Sequence, residues 1–288
     1  TAVGVAAMTA RILGCNAAQI HEAAGIGEYH GPRSQMLRCI DFPTMVRDGV
    51  GWGAPTGVTA WVLAHNGFTG APALTCQGPH WVGLGDHWKL VTDTHYKPYP
   101  CCRWAHPSID AAAELMTRHA LSHHDIASVE IKTFHNATRL AGHTPVSADE
   151  FAYSIAFPVA CMIVRGQVGV SELDISALSN LEILRISTAT TLIDDPHLTQ
   201  ISDGKRWAQV SILMEDGTRY EAAPRTPRGD TDLPLSDREI SDKYHLFADP
   251  ILGGETAERI ETLCAEFDQL DASSVQGLLD IILQKPGV

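Results

Sequence analysis

Apolar positions recur at close helical spacing from the first residues. Ala2, Val5, Ala6, Met8, Ala10, Ile12 and Leu13 form one run, which Gly14 stops. Asn16-Ala-Ala-Gln19 then restarts a helix that continues through Ala24. Gly25–Asp41 crowds Gly, Pro and charged residues together and predicts mostly loop. A third helix is expected from about Gly53 to His65, with Asn66-Gly67 as its stop. The stretch 75–94 is rich in Gly and Trp without a clear period, which predicts extended loop or short helices.

From Pro107 the pattern sharpens. Proline suits the first turn of a helix, and Ile109, Ala112, Ala113, Leu115 and Met116 supply the apolar face. The alternation Val129-Glu-Ile131-Lys-Thr133 predicts a strand with one buried face. A buried helix is expected over 148–165, closed by Gly166 and kinked at Phe157-Pro158, and another over about 180–193. Two alternating runs about Asp216-Gly217 predict a β-hairpin. A Pro/Gly/Arg/Asp-rich linker over 224–234 leads to helices with Leu and Ile spacing from Ser236 onward. Helices, then mixed elements, then helices again imply an α+β protein: a large all-helical domain interrupted by a smaller α+β domain. The expected limits are 1–95 for the first helical part, 96–225 for the α+β domain and 226–288 for the return to the helical domain.

Composition narrows the function. The 288 residues are 44% apolar and 19% charged, enough for a substantial core, and no run approaches a membrane span. A net charge of −13 argues against nucleic acid as a partner and against a globally cationic surface, so cations that hold an acidic metabolite must be local and few. Seven scattered cysteines without CxxC spacing suit reduced thiols in the cytoplasm rather than a zinc site. Thr1 opens a helical segment with neither initiator Met nor signal peptide, so the expectation is a trimmed chain or a true N-terminus elsewhere.

The densest chemistry lies in His95-Tyr-Lys97-Pro-Tyr99-Pro-Cys101-Cys102-Arg103-Trp-Ala-His106-Pro107, a Pro-stiffened loop feeding a helix N-terminus. Such an end favours an anion, Lys97 and Arg103 would add charge-assisted bonds to a carboxylate, and the field would lower the pKa of Cys101 or Cys102. The same residues would also serve a rigid hinge with capping polar groups. A second cluster, Glu28-Tyr-His30-Gly-Pro-Arg33-Ser-Gln, offers an acid/base and a carboxylate clamp, or a solvated loop. Around Arg47-Asp48-Gly-Val-Gly-Trp-Gly the glycines permit close approach to a ligand, with Arg47 facing a carboxylate or pairing with Asp48. The GxxxxGK[ST] spacing is absent, which rejects a phosphate loop. His123-His124-Asp125 reads as a solvated helix-to-strand connection capped by Asp125 rather than a metal cluster, and His135 and His143 lie near polar turns.

Several stretches, in order, resemble the MmgE/PrpD family of lyases, which includes 2-methylcitrate dehydratase and cis-aconitate decarboxylase. They are Gly57-Val-Thr-Ala-Trp-Val-Leu-Ala64 with Gly67-Phe-Thr-Gly70, Lys97-Pro-Tyr-Pro100 with His106-Pro-Ser-Ile-Asp-Ala111, the helix 151–166, and Pro-Leu-Ser with Lys243-Tyr244 inside 227–248. The resemblance implies a large helical domain with a small α+β domain, a homodimer, and an active site without metal or cofactor. The implied reaction removes water or carbon dioxide from a di- or tricarboxylate, or epimerises it.

The family's basic position before the Gly-rich turn falls on Arg47, where Lys is usual, and its loop lysine falls on Lys97. A His of the decarboxylase branch falls on Cys102, and its Tyr on Phe157. The resulting expectation gives Lys97, His30, His106 and Cys102 catalytic roles, and Arg33, Arg47, Arg103, Tyr99 and Phe157 substrate contacts. The family's usual catalytic Asp and His lie upstream of what matches Thr1. A chain supplying that helical region, as a hetero-oligomer, is therefore an alternative to the homodimer. A non-catalytic carboxylate-binding relative and a dicarboxylate epimerase are the other readings.

Overall fold

The computed structural model describes residues 1–46, 49–79, 83, 85–86, 88–140 and 142–284. In chain order the helices α1 (Ala2–Ile12), α2 (Ala17–His30), α3 (Met36–Asp41), α4 (Val50–His65), α5 (Leu74–Gln77), α6 (Lys89–Thr92) and α7 (His106–Arg118) precede strand β1 (Ile126–Thr133). Then come α8 (Ala148–Ala152), α9 (Ala156–Arg165), α10 (Ile175–Leu178), α11 (Leu181–Thr188), β2 (Thr190–Asp194), α12 (Pro196–Ile201), β3 (Ala208–Met214) and β4 (Arg219–Glu221). The helices α13 (Asp237–Leu252), α14 (Gly254–Ala265) and α15 (Ala272–Leu283) complete the series. No described helix is long and apolar enough to cross a membrane. All seven cysteines are free thiols.

The chain divides into two compact units, 1–92 with 148–153, and 93–147 with 154–288. Small residues build the first. Ala6, Ala10, Ala23, Ile26, Ala60 and Ala64 form a buried cluster of α1, α2 and α4. Gly14 (φ +75°) ends the first run, and Asn16 restarts the chain through a reciprocal capping box with Gln19, at 3.0 and 3.1 Å. The loop expected from Gly25 onward is instead the last turn and a half of α2, followed by the short α3. Gly25 is there because a backbone passes close by: a Cβ on it would sit 1.8 Å from the Ala71 carbonyl oxygen. On α4, a Cβ at Gly57 would meet the Ala2 carbonyl oxygen at 2.6 Å. These glycines permit contact between helices rather than breaking one.

Carboxylates of α2 anchor the following segment: Glu28 accepts from the backbone N–H of Leu74 (2.7 Å) and of Thr75 (2.8 Å) at the start of α5. These bonds, with the Thr75 hydroxyl foremost, hold the Glu28 carboxyl below its ordinary pKa.

The second unit is built on a four-stranded sheet of order β2-β1-β3-β4, with β1 and β2 parallel and the other pairs antiparallel. On β1 the residues Ile126, Val129, Ile131 and Thr133 are buried. The hairpin forms as its Asp-Gly turn predicts, with Gly217 at φ +85°. The helix expected over 148–165 is two helices. Pro158 has no N–H to bond the Ser154 carbonyl, and it stands in the first turn of α9, where that bond is not needed. The Ser154 hydroxyl takes up the break, accepting from Phe157 N (3.2 Å) and donating to the Gly142 carbonyl. The helix expected over 180–193 stops at Thr188, and the run Thr190-Thr191-Leu192-Ile193, three of whose four residues are β-branched, becomes β2. Residues 226–288 group with this second unit, where Asp230 and Lys243 bond back to the 95–103 loop.

Candidate active site

The loop 95–105 is held by carboxylates distant in sequence. Tyr99 is buried and donates its hydroxyl to Asp110 Oδ1 (2.7 Å), which also accepts from Arg228 Nε (3.1 Å). Burial and the Asp110 charge push the Tyr99 phenol up. Arg103 is bound in bidentate fashion to the buried Asp230, through Nε to Oδ1 at 2.8 Å and through Nη2 to Oδ2. His95 Nδ1 lies 2.8 Å from the same Oδ1. Burial raises the Asp230 carboxyl, but the bonds from Arg103 and His95 outweigh it and leave the group below its ordinary pKa. The Arg103 guanidinium is thus already committed to an internal carboxylate.

The start of α7 is closed. His106 and Ser108 are fully buried, so the first turn does not stand open to an anion as the sequence leads one to expect. His106 Nε2 lies 3.3 Å from the Cys101 carbonyl oxygen, which can only accept, so Nε2 carries the proton. Burial first, and then the charges of Lys97 and Arg103, depress its pKa to about 3. The ring is neutral and packs edge-on against Tyr99, centroids 5.2 Å apart. The expected activated thiol is not found at Cys101, which is buried, and burial pushes its pKa up rather than down. Cys102 is half-buried. Phe157 is fully buried in α9 and has no surface to offer a ligand.

Lys97 differs from these. Its side chain is exposed, and among the described residues no carboxylate lies within 4.0 Å of its ammonium. Its carbonyl accepts from the Lys243 ammonium. Burial, and next the Lys97 charge, lowers the Lys243 pKa. Arg206 stands over the rings of Trp104 (5.8 Å) and Phe134 (5.5 Å), its pKa lowered by burial and by Arg103. The turn therefore gathers Lys97, Arg103, Arg206 and Lys243, and Asp230 neutralises Arg103 directly. Asp230, Arg206 and Lys243 lie 100 or more residues along the chain from the loop they meet, so no local pattern marks them.

In the first unit His30 is exposed at the end of α2 and lines a cavity of about 380 Å³ with Trp52, Thr56 and Thr59. Arg33 caps the same helix, donating to the Tyr29 carbonyl (3.1 Å), and lines a cavity of about 580 Å³. Arg38, which the sequence reading passes over, shares that wall with Ser34, Gln35 and Thr44. Arg47 and Asp48 lie outside the described residues.

Two comparisons bear on this arrangement. The chain is similar to the cis-aconitate decarboxylase-like protein oryM of Aspergillus oryzae (strain ATCC 42149 / RIB 40), with 24% identity over 189 residues. That match covers 62% of this chain and 38% of the fungal protein, so the chain spans well under half the length of the curated relative it matches. Residues 99–269 match the model of the MmgE/PrpD C-terminal domain, over half of the chain and all of the sheet, the α7 and α9 helices and the Asp230 segment. The chain belongs to the MmgE/PrpD family.

Proposed function

We propose that the chain serves as a lyase, or as part of one, that acts on a di- or tricarboxylate by removing a proton beside a carboxylate, with loss of water or carbon dioxide. The observation that carries this reading is the uncompensated charge at the Tyr-Pro-Cys-Cys turn. Among the described residues no carboxylate lies within 4.0 Å of the Lys97 ammonium, which stands beside the partly buried Lys243 ammonium on a chain whose net charge is −13. A substrate carboxylate would relieve that repulsion. The same ammonium would stabilise the enediolate-like charge that builds as the proton leaves. Arg33 and Arg38 offer a second carboxylate site on the first unit, and His30, exposed on a separate cavity of that unit, offers an imidazole that can move a proton. Arg103 and Tyr99 position the loop through Asp230 and Asp110.

The name of the fungal relative favours a tricarboxylate such as cis-aconitate. Lys97→Met should weaken cis-aconitate binding, followed by calorimetry, by roughly tenfold or more, the scale of a charge-assisted bond of about 1.5–3 kcal/mol. Turnover in the complete assembly should fall with it. Equal affinity and turnover in wild type and variant would remove Lys97 from the site.

A second reading, a carboxylate-binding relative without catalysis, is favoured by His106, which is fully buried and held neutral and so cannot exchange protons with substrate. Tight cis-aconitate binding with no turnover would select it. An epimerase would incorporate solvent deuterium into recovered, inverted substrate. The assembly proposed is a homodimer or a hetero-oligomer with a second chain, and the native mass of the particle distinguishes them.

A further inference from the structure

The connection between α7 and β1 carries a cluster that the carboxylate chemistry does not use. His123 and His124 sit on a 3₁₀ turn (His123–Asp125), and Glu182 stands in the first turn of α11, capped by Asn180. His123 Nδ1 lies 3.7 Å and His124 Nδ1 3.9 Å from Glu182 Oε2, and the three atoms all fall within 4.8 Å of one another. The carboxylate partner of the histidine pair is therefore Glu182, 59 residues beyond His123, and not the adjacent Asp125.

We propose that His123, His124 and Glu182 form a binding site for a divalent transition-metal ion, zinc above all, that straps the turn ahead of β1 to the start of α11.

Three observations point there. First, the two histidine-to-carboxylate spacings are too long for hydrogen bonds, yet only a few tenths of an ångström beyond the roughly 3.4 Å edge of a tetrahedron with bonds of about 2.0–2.1 Å. A small ion fits between the atoms after slight side-chain rotation. Second, His123 Nδ1 is buried and has no hydrogen-bond partner, an unsatisfied ring nitrogen aimed at the carboxylate.

Third, Arg185 fixes both halves of the cluster. It donates to the carbonyls of His123 (2.7 Å) and Ile126 (2.9 Å) and, through Nε, to Glu182 Oε2 (3.1 Å). The guanidinium opposes any cation, which sets the kind of ion. Calcium and magnesium, which rely on several oxygen ligands, are excluded by two imidazoles and one carboxylate beside a positive charge. Zinc, copper and nickel bind imidazole strongly enough to overcome it. Three protein ligands leave a fourth position for water or for an outside ligand.

The test uses the untagged full chain, stripped with a chelator and titrated with zinc chloride by calorimetry. One equivalent should bind the wild type. His124→Ala and Glu182→Gln, both at exposed side chains, should each weaken it roughly tenfold or more, since losing even an outer-shell partner costs 10–100-fold. At a fixed zinc concentration the melting temperature of the wild type should also rise more than that of either variant. Cobalt in place of zinc should give visible bands without the intense near-ultraviolet thiolate transition, which separates this site from the seven cysteines. Saturable binding with unchanged affinity in both variants, a thiolate spectrum, or no saturable binding to the wild type would each overturn the proposal.

Discussion

At the scale of single residues, the structure turns on groups whose meaning depends on what lies across from them. Gly25 and Gly27 read as helix breakers in the sequence, yet both lie inside α2, and the reason for Gly25, the Ala71 carbonyl, is 46 residues away. Arg103 reads as a substrate clamp because it stands with Lys97 on a loop ahead of a helix start; Asp230 occupies it. His106 is the most consequential case. Its folded pKa of about 3 lies far below the unfolded value near 6.5, so between these the unfolded chain binds the extra proton. Its contribution to stability is complete above about pH 6.5 and declines as pH falls toward 3, by up to about 1.4 kcal/mol per unit. Urea unfolding at about pH 7 and about pH 5 should therefore show the wild type losing about 2 kcal/mol more than His106→Gln, whatever the variant's absolute stability. Parallel losses in both proteins would show that the ring is not buried in neutral form.

At the scale of elements, periodicity and caps carry most of the information. The α1 stop at Gly14, the Asn16 and Ser236 capping boxes, the amphipathic α7 and the Asp216-Gly217 hairpin all follow from local rules and stand where the pattern places them. Beside the loop expected from Gly25, two more expectations fail where tertiary partners decide. The run 190–194 continues an apolar stretch, but pairing with β1 turns it into a strand. The break between α8 and α9 needs an external acceptor, the Gly142 carbonyl, for the Ser154 hydroxyl. Ser154→Ala removes both that bond and the cap on Phe157 N in a fully buried site, and should destabilise the protein by about 1–2 kcal/mol in thermal or urea unfolding. Of the candidate site, the loop and Lys97 were legible because they are contiguous; the residues that anchor and charge it were not, because folding assembles them from 205–243.

At the scale of the whole molecule, the two units are not consecutive stretches. The chain passes from one to the other at 92/93, at 147/148 and again at 153/154. The fully buried Phe151 belongs to the short piece that returns to the first unit. Phe151→Ala should cost about 3–5 kcal/mol, and hydrogen exchange should quicken in α1, α2 and α4 while β1 and β3 stay protected. Quickening of the sheet first would contradict that placement. The first unit is also apolar beyond its own core. The α4 sequence has polar side chains only at Thr56, Thr59 and His65, and it leaves Val58 and Val62 each 43% exposed, with Trp52 at 77%. A helix of this kind calls for cover on its outer side, which is the physical basis for expecting an assembly.

The returning piece also sets a timetable for biosynthesis. A ribosome that has delivered residue 92 has not yet delivered the six residues that complete that unit. At about 5–20 residues per second, several seconds pass before they emerge. Throughout that interval the first unit lacks the piece that carries the fully buried Phe151. The protein should therefore lean on a chaperone that holds exposed hydrophobic nascent chain, and slowing translation of the stretch that encodes residues 93–153 should lower its yield of native material.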